Sequence, residues 1–204
     1  MPDNSGARYA RGTQRRNALI KAAADVLLDQ GLAALSHRAV AARAGLPLAS
    51  TTYYFASADD LRDEGLRHLT DGWAARAGAV VDALPDQLDA ARAAQAVTEI
   101  IGADAPDAQL LLMYERYLEA GRHQRLRALV IAWNARLAEL VRQVLLRADL
   151  PADEGTARLV VAVADGVAVT ALAEGTSPQA AVGEAVNQML SLLQVSAGGA
   201  LPLP

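Results

Sequence analysis

The stretch Ser36–Phe55, SHRAVAARAGLPLASTTYYF, reads as two short helices that meet at a turn containing Gly45. That is the sequence form of a helix-turn-helix. Ser36 offers a hydroxyl to cap the first helix, Val40 and Ala44 face inward, and Ala41 is small where the two helices approach. Gly45 can adopt the left-handed conformation that reverses the chain, and Leu46 and Leu48, flanking Pro47, anchor the turn. The second helix is about two turns long, and at ~100° per residue Leu48, Thr51 and Phe55 fall on one face while Ala49, Ser50, Tyr53 and Tyr54 project from the other. The inner set can pack. The outer set is small, hydroxylated and aromatic, suited to phosphates, base edges and thymine methyls. Arg38, at the start of the first helix, has the bidentate geometry that reads guanine. An ordinary helical hairpin whose tyrosines cover core is the competing reading of this stretch taken alone.

The charge around the stretch is uneven. The 204 residues carry a net charge of −4, which as an average argues against a polyanionic partner. Residues 1–55, however, hold seven basic groups (Arg8, Arg11, Arg15, Arg16, Lys21, Arg38, Arg43) against Asp3, Asp25 and Asp29, a net of +4, and the remainder carries −8. A basic head on an acidic body suggests a polyanion-binding module joined to something else. Cysteine is absent, which removes thiol catalysis, thiolate metal sites and disulfides together. Residues 1–16 contain no apolar core of a signal peptide. The longest apolar run, residues 159–173, contains Asp165 and falls short of the roughly 18 residues of a spanning helix. No membrane segment is therefore expected, and the expected location is cytoplasmic.

The rest of the chain reads as all-α, about nine helices in total, because alanine and leucine dominate and no alternating apolar pattern is bounded by turns. Thr13 is the expected cap of a first helix that buries Leu19, Ala22, Ala23, Val26 and Leu27 and ends at Gly31. Ser57 is expected to cap a long helix to about Leu84, with Asp59 and Asp60 in its first turn. Pro85 and Pro106 should open the fifth and sixth helices. A seventh is expected over roughly His123–Ala148 and a final pair over Asp153–Glu174 and Ser177–Val195. The residues after 195 read as a flexible tail.

Taken together, the paired Arg15 and Arg16, the run GLAALSHRAVAARAGL, STTYYF in the recognition-helix position and the following Asp-Asp-Leu resemble the TetR family of bacterial transcriptional regulators. The resemblance covers the first 70 or so residues. It implies a DNA-binding domain over 1–56, a helical effector-binding and dimerisation domain over 57–195 and a tail over 196–204. It also implies that Arg16, Ser36, His37, Arg38 and the run Ala49, Ser50, Thr51, Thr52, Tyr53 and Tyr54 lie at the DNA, with Ser36 and Tyr53 on phosphates and Phe55 packing the recognition helix onto the first helix. Three positions depart from the family pattern, which often has glycine at Ala49, an apolar residue at Thr51 and a phosphate-binding lysine at Ala58. Losing that lysine should lower the salt dependence of DNA binding by roughly one charge, for which Arg8 and Arg11 could compensate.

In the body, Leu159, Val163 and Val167 on one helix and Val182, Val186 and Met189 on the next are the expected homodimer interface, a four-helix arrangement between subunits. Trp73, Met113, Tyr114, Tyr117 and Trp133 are the candidate lining of an effector pocket, although aromatics at helical spacing also fill cores. A neutral or weakly polar small molecule is the expected effector. Glu115, Glu119 and His123 recur every four residues, but a solvated charged face explains them better than a metal site. No phosphate loop, HExxH or nucleophile elbow is present. The resulting expectation is a non-enzymatic, cofactor-free repressor that binds a pseudo-palindromic double-stranded DNA operator as a homodimer and leaves it on binding a small molecule. The competing expectation is a helical small-molecule-binding or scaffold protein without operator specificity, favoured by the missing lysine at Ala58.

Overall fold

The computed structural model describes residues 5–198, and within them the chain forms nine α-helices and one 3-10 turn. They are α1 (Ser5–Gln30), the 3-10 turn Leu32–Ala34, α2 (His37–Ala44), α3 (Leu48–Tyr54), α4 (Ala58–Asp82), α5 (Ala90–Ile101), α6 (Asp107–Arg122), α7 (Gln124–Arg147), α8 (Glu154–Glu174) and α9 (Pro178–Gly198). The all-α expectation holds, but three boundaries move. Thr13 does not cap α1. It lies two turns inside the helix, its hydroxyl donating to the Tyr9 carbonyl at 3.2 Å, because the arginines, alanines and glutamine around it are good helix formers and nothing stops the helix before Ser5. Pro85 does not open α5. Asp89 does, its carboxylate accepting the Arg92 N–H at 2.7 Å. The last helix continues to Gly198, so the expected tail at 196–198 is helical, and its remainder, 199–204, lies outside the described residues.

Two compact units divide the chain, and α4, α6 and α7 each contribute to both. The first comprises the described part of residues 1–71 with Glu115–Arg127. Its core gathers Leu19, Ile20, Ala22 and Ala23 of α1, Val40 of α2, Phe55 and Leu61. Ser36 caps α2, accepting the Ala39 N–H at 3.2 Å, and Gly45 ends it at φ 63° and ψ 30°. The Leu46 N–H returns to the Ala41 carbonyl at 3.0 Å, the closure expected of a left-handed helix end. Of the three α3 residues expected inside, Thr51 and Phe55 are buried but Leu48 is 49% exposed. Leu48 is the first residue of α3, too early in the helix to reach the core below it. Arg116 of α6 is wholly buried, with Nη1 donating to Thr70 Oγ1 at 2.7 Å and its guanidinium 5.6 Å from the Tyr117 ring.

The second unit, Gly72–Tyr114 with the described part of 128–204, is built on the α8–α9 hairpin packed against α5. Asp153 caps α8 by accepting the Thr156 N–H at 3.0 Å, and Gly175 ends it at φ 68°. Contrary to expectation, α8 is long and apolar enough to cross a membrane by length and composition. Its buried Val160, Ala164, Ala168 and Ala171 lie along the side that packs on protein. Val182 and Val186 are also wholly buried within the single chain. They hold α9 to its neighbours and have no surface to offer a second subunit, which corrects their expected place in a dimer interface.

Two glycines of α4 have opposite roles. A Cβ on Gly65 would stand 2.9 Å from Leu27 Cδ1 and 3.1 Å from Ala23 Cβ, whereas one on Gly72 would meet nothing within 4 Å. Gly65→Ala is therefore expected to cost about 1–3 kcal/mol through overpacking against α1. Gly72→Ala should stabilise by about 0.5–1 kcal/mol, because alanine loses less backbone entropy in a helix. Denaturant unfolding of the two variants should show shifts of opposite sign.

Candidate nucleic-acid interface and effector site

The α2–α3 turn presents a face whose polar groups are directed outward by the buried groups behind them. Ser36, Arg38, Ala49, Thr52 and Tyr53 are exposed, Tyr53 at 81%. Ser50 and Tyr54 are half-buried. The rings of Tyr53 and Tyr54 meet edge to face, centroids 4.9 Å apart at 89°, so the inner tyrosine props the outer one away from the helix. Thr51 does not belong to this face. It is wholly buried and its hydroxyl donates to the Leu48 carbonyl at 2.8 Å, so the hydroxyl stands where an apolar side chain would otherwise pack and contacts no partner outside the chain. His37 is half-buried, with Nδ1 shielded and accepting no hydrogen bond.

The arginines of α1 divide by helical position. Arg16 turns toward α4, pairing with Glu64 at 3.2 Å and lying 5.4 Å above the Phe55 ring. It braces the recognition helix from behind. Arg11 and Arg15, one turn apart, instead line a concave surface of about 760 Å³ together with Ala49, Ser50, Tyr53 and Tyr54. Gly12 also lines it, beside the Tyr54 hydroxyl. The sequence pattern that reveals this is the i, i+4 spacing of the two arginines, which carries meaning only once α1 is known to begin before them. The Arg8 side chain lies outside the described residues.

At the start of α4, where Ala58 stands, the chain places acid. Ser57 caps the helix, accepting the Asp60 N–H at 3.0 Å. Arg62 pairs with Asp59 at 3.1 Å, and Arg125 of α7 binds Asp60 at 2.8 Å and Asp63 at 3.2 Å. The hydrogen bond from Arg125 holds the Asp60 carboxyl below the usual carboxylate range, aided by Ser57. Burial pushes Asp63 the other way, against the attraction of Arg125 and Arg62.

The candidate effector residues are only partly brought together. Trp73, Met113 and Trp133 converge in the second unit, the indole rings 6.2 Å apart at 66°, and Met113 and Trp133 are buried. The space they leave is about 10 Å³, so their neighbourhood is filled core. Tyr114 turns away from them, its hydroxyl donating to Asp165 of α8 at 3.3 Å. Tyr117 belongs to the first unit, beside Arg116. Glu119 accepts from Arg122 at 2.8 Å and stands 3.1 Å from His123 Nε2. Of the expected dimer residues Leu159 is exposed and Val163, Val167 and Met189 are half-buried, with Val169, Leu192 and Val195 exposed nearby in sequence.

Residues 19–64 match the profile of bacterial regulatory proteins of the tetR family, and residues 88–192 match the tetracyclin repressor-like C-terminal domain. The chain belongs to the TetR family. It is similar to the multidrug binding protein EbrR complexed with imidazole, at 35% identity over 86% of this chain and 94% of that one, TM-score 0.67. The EbrR complex with proflavin is likewise 35% identical, covering 88% of this chain and 99% of that one, TM-score 0.65. A TetR-family member from Streptomyces coelicolor A3 is 35% identical over 86% of this chain and 98% of that one, TM-score 0.67. No curated protein matches.

This TetR-family protein is thus a transcriptional regulator with an N-terminal helix-turn-helix and a ligand-binding C-terminal domain. Regulators of this kind are generally non-enzymatic and typically dimeric. The Arg125 pairs supply a test of the acidic start of α4. Removing Arg125 should raise the Asp60 carboxyl toward the ordinary range, with the Ser57 hydrogen bonds still holding it down, read from its side-chain NMR titration. A carboxyl whose folded pKa is depressed contributes stability above its unfolded pKa and loses it as pH falls through the folded one. The difference in melting temperature between wild type and Arg125→Ala should therefore be largest near neutral pH. It should close on acidification, beginning with the raised Asp63 and ending below the usual range with Asp60.

Proposed function

We propose that this regulator is a cytoplasmic repressor that binds a pseudo-palindromic DNA operator as a homodimer and is released by a small-molecule effector. In this reading residues 1–56 contact DNA and 57–195 bind effector and partner subunit. The observation that carries it is the concave face that joins Arg11 and Arg15 of α1 to Ser50, Tyr53 and Tyr54 of the recognition helix. Guanidinium groups beside hydroxyls on a surface-exposed helix suit phosphate contacts at the rim of a major groove. Arg38 at the exposed start of α2 and Ala49, Ser50 and Thr52 on α3 are the base-facing set, with Ser36, His37 and Tyr53 toward the backbone. Arg16 acts by bracing α3 through Phe55.

The dimer reading is supported by the apolar side chains that one chain leaves exposed on α8 and α9. Leu159, Val163, Val167 and Met189 retain their role there, joined by Val169, Leu192 and Val195. Two recognition helices related by a two-fold axis would enter successive major grooves about 34–36 Å apart. The EbrR complexes with imidazole and proflavin support a compact heteroaromatic effector. Such a ligand shifts the equilibrium only by its differential affinity for the DNA-competent and DNA-incompetent states.

The acidic start of α4 favours the competing reading of a ligand-binding protein without operator specificity, and one experiment separates the two. Selection from a random DNA pool with the purified protein should return a palindrome, and sequence-indifferent recovery would support the second reading. On the selected site, Arg38→Ala should cost about 1–3 kcal/mol and relax preference at a single base pair. The Arg11→Ala/Arg15→Ala double variant should instead weaken all sites alike and reduce the salt slope by about two charges. Wild-type affinity in both variants over a range of salt would show that the surface is assigned wrongly.

A further inference from the structure

The space missing between the two tryptophans is present elsewhere in the same unit. A groove of about 290 Å³ runs between α7 and α8, close to the lower limit of the roughly 300–1,000 Å³ of ordinary small-molecule sites. Its two walls have the same helical spacing. Ile131, Asn134 and Ala138 rise from α7, and Arg158, Val161 and Asp165 from α8, so each helix presents one i, i+3 or i+4, i+7 row to the gap. The walls are aliphatic except for Asn134 on α7 and the two ends of the α8 row.

Those two charged residues are not equivalent. Arg158 reaches back along its own helix to Glu154 at 2.7 Å, and both partners are well exposed, so its charge is offset in solvent. Asp165 is the one acid between Glu154 and Glu174, in a helix otherwise composed largely of alanine and valine, and it is half-buried in the groove wall. A carboxylate in such a wall loses hydration and requires a compensating donor. The Tyr114 hydroxyl, arriving from α6 at 3.3 Å, is one such donor, and a phenol that donates to a carboxylate oxygen orients it. A groove whose two walls are largely aliphatic, with a carboxylate set in one of them, is complementary to a flat apolar body that carries positive charge.

We propose that the α7–α8 groove binds a planar aromatic cation, with Asp165 as its counter-ion and Tyr114 as the residue that orients the carboxylate. This rests on the reading of the chain as an effector-responsive regulator and revises the expected effector from neutral to cationic. Charge complementarity favours the cation over a second copy of the chain as occupant of the groove, because a symmetric partner would bring another acidic body.

The test uses the full-length protein and two probes of one ring frame, proflavin, cationic at mildly alkaline pH, and acridine, uncharged there. Fluorescence titration of wild type should give tighter binding of proflavin. Asp165→Asn keeps the side chain's shape while deleting its charge. It should weaken proflavin about tenfold or more and leave acridine unchanged, as expected for loss of a partly desolvated ion pair. Ala162→Leu, at an exposed position that lines the groove, should weaken both probes and, by thermal melting, leave the fold intact. An unchanged proflavin-to-acridine ratio in Asp165→Asn would overturn the groove assignment while leaving the effector reading standing. Binding of neither probe by wild type would overturn both. A change of oligomeric state in Ala162→Leu with proflavin binding retained would make the groove a subunit contact and overturn the proposal.

Discussion

A helix of seven residues has almost no stability of its own, since nucleation fixes several dihedrals for each hydrogen bond gained and isolated helices under about 12 residues are marginal. The recognition helix α3 is such a helix, and it exists because Thr51 and Phe55 are buried beneath it. Phe55 enters the cluster of Leu19, Ile20, Val40 and Leu61, where removing a ring of that size costs about 3–5 kcal/mol. Everything on the outer face inherits its position from this inner one. Arg16 adds a second hold, stacking on the same ring while pairing with Glu64. Tyr53 can therefore be exposed, a condition that would be unfavourable for an aromatic side chain on an unanchored segment.

The same anchoring explains the distribution of charge. A net charge of −4 would repel a polyanion if spread evenly, but interactions between exposed charges fade beyond a Debye length of about 8 Å at physiological salt. What counts at the interface is the local set. Arg11 and Arg15 line the recognition surface and Arg38 is exposed at the start of α2, while Arg43 pairs with Asp29 and Arg62 with Asp59. The acids at the start of α4 share Arg62 and Arg125, so the position that lacks a phosphate-binding lysine is held near local neutrality. A phosphate contact missing there would lower affinity for DNA without adding a strong local repulsion.

How far the sequence carried the architecture depended on whether a feature was local. The Ser36 and Ser57 caps, the Gly45 reversal and the outward Tyr53 follow from nearest neighbours, and each appears in the structure as read, whereas Tyr54 turns half inward against the core. Errors arose where a residue had a plausible local role and a stronger distant one. Thr13 has the chemistry of a cap but sits in a run of good helix formers, and its hydroxyl satisfies itself on the Tyr9 carbonyl. Val182 and Val186 form a convincing stripe, yet a stripe does not say whether its neighbour lies in the same chain. Thr51 fits the pattern of both faces of one helix, and only burial assigns it to the inner one. Arg116 gave no local signal, because a buried guanidinium looks the same in sequence as a solvated one.

The contrast between filled and open space in the second unit bears on how an effector can act. A ligand that wedged Trp73 from Trp133 would first have to open a core with about 10 Å³ of room, and the work of opening would be subtracted from its binding energy. It would also select whatever minor conformation already has that core open, so its apparent affinity would fall by the fraction so populated. A ligand that enters existing space between two helices meets no such penalty. Its effect then depends on whether the walls keep the same spacing in both states of the regulator. The Tyr114–Asp165 hydrogen bond ties α6 to α8, and at 3.3 Å it weakens steeply on further separation, so the orientation of the Asp165 carboxylate in the groove is sensitive to how α8 sits on α6. A charge held between two helices responds to ångström-scale sliding, and binding there can be coupled to state without an interior cavity.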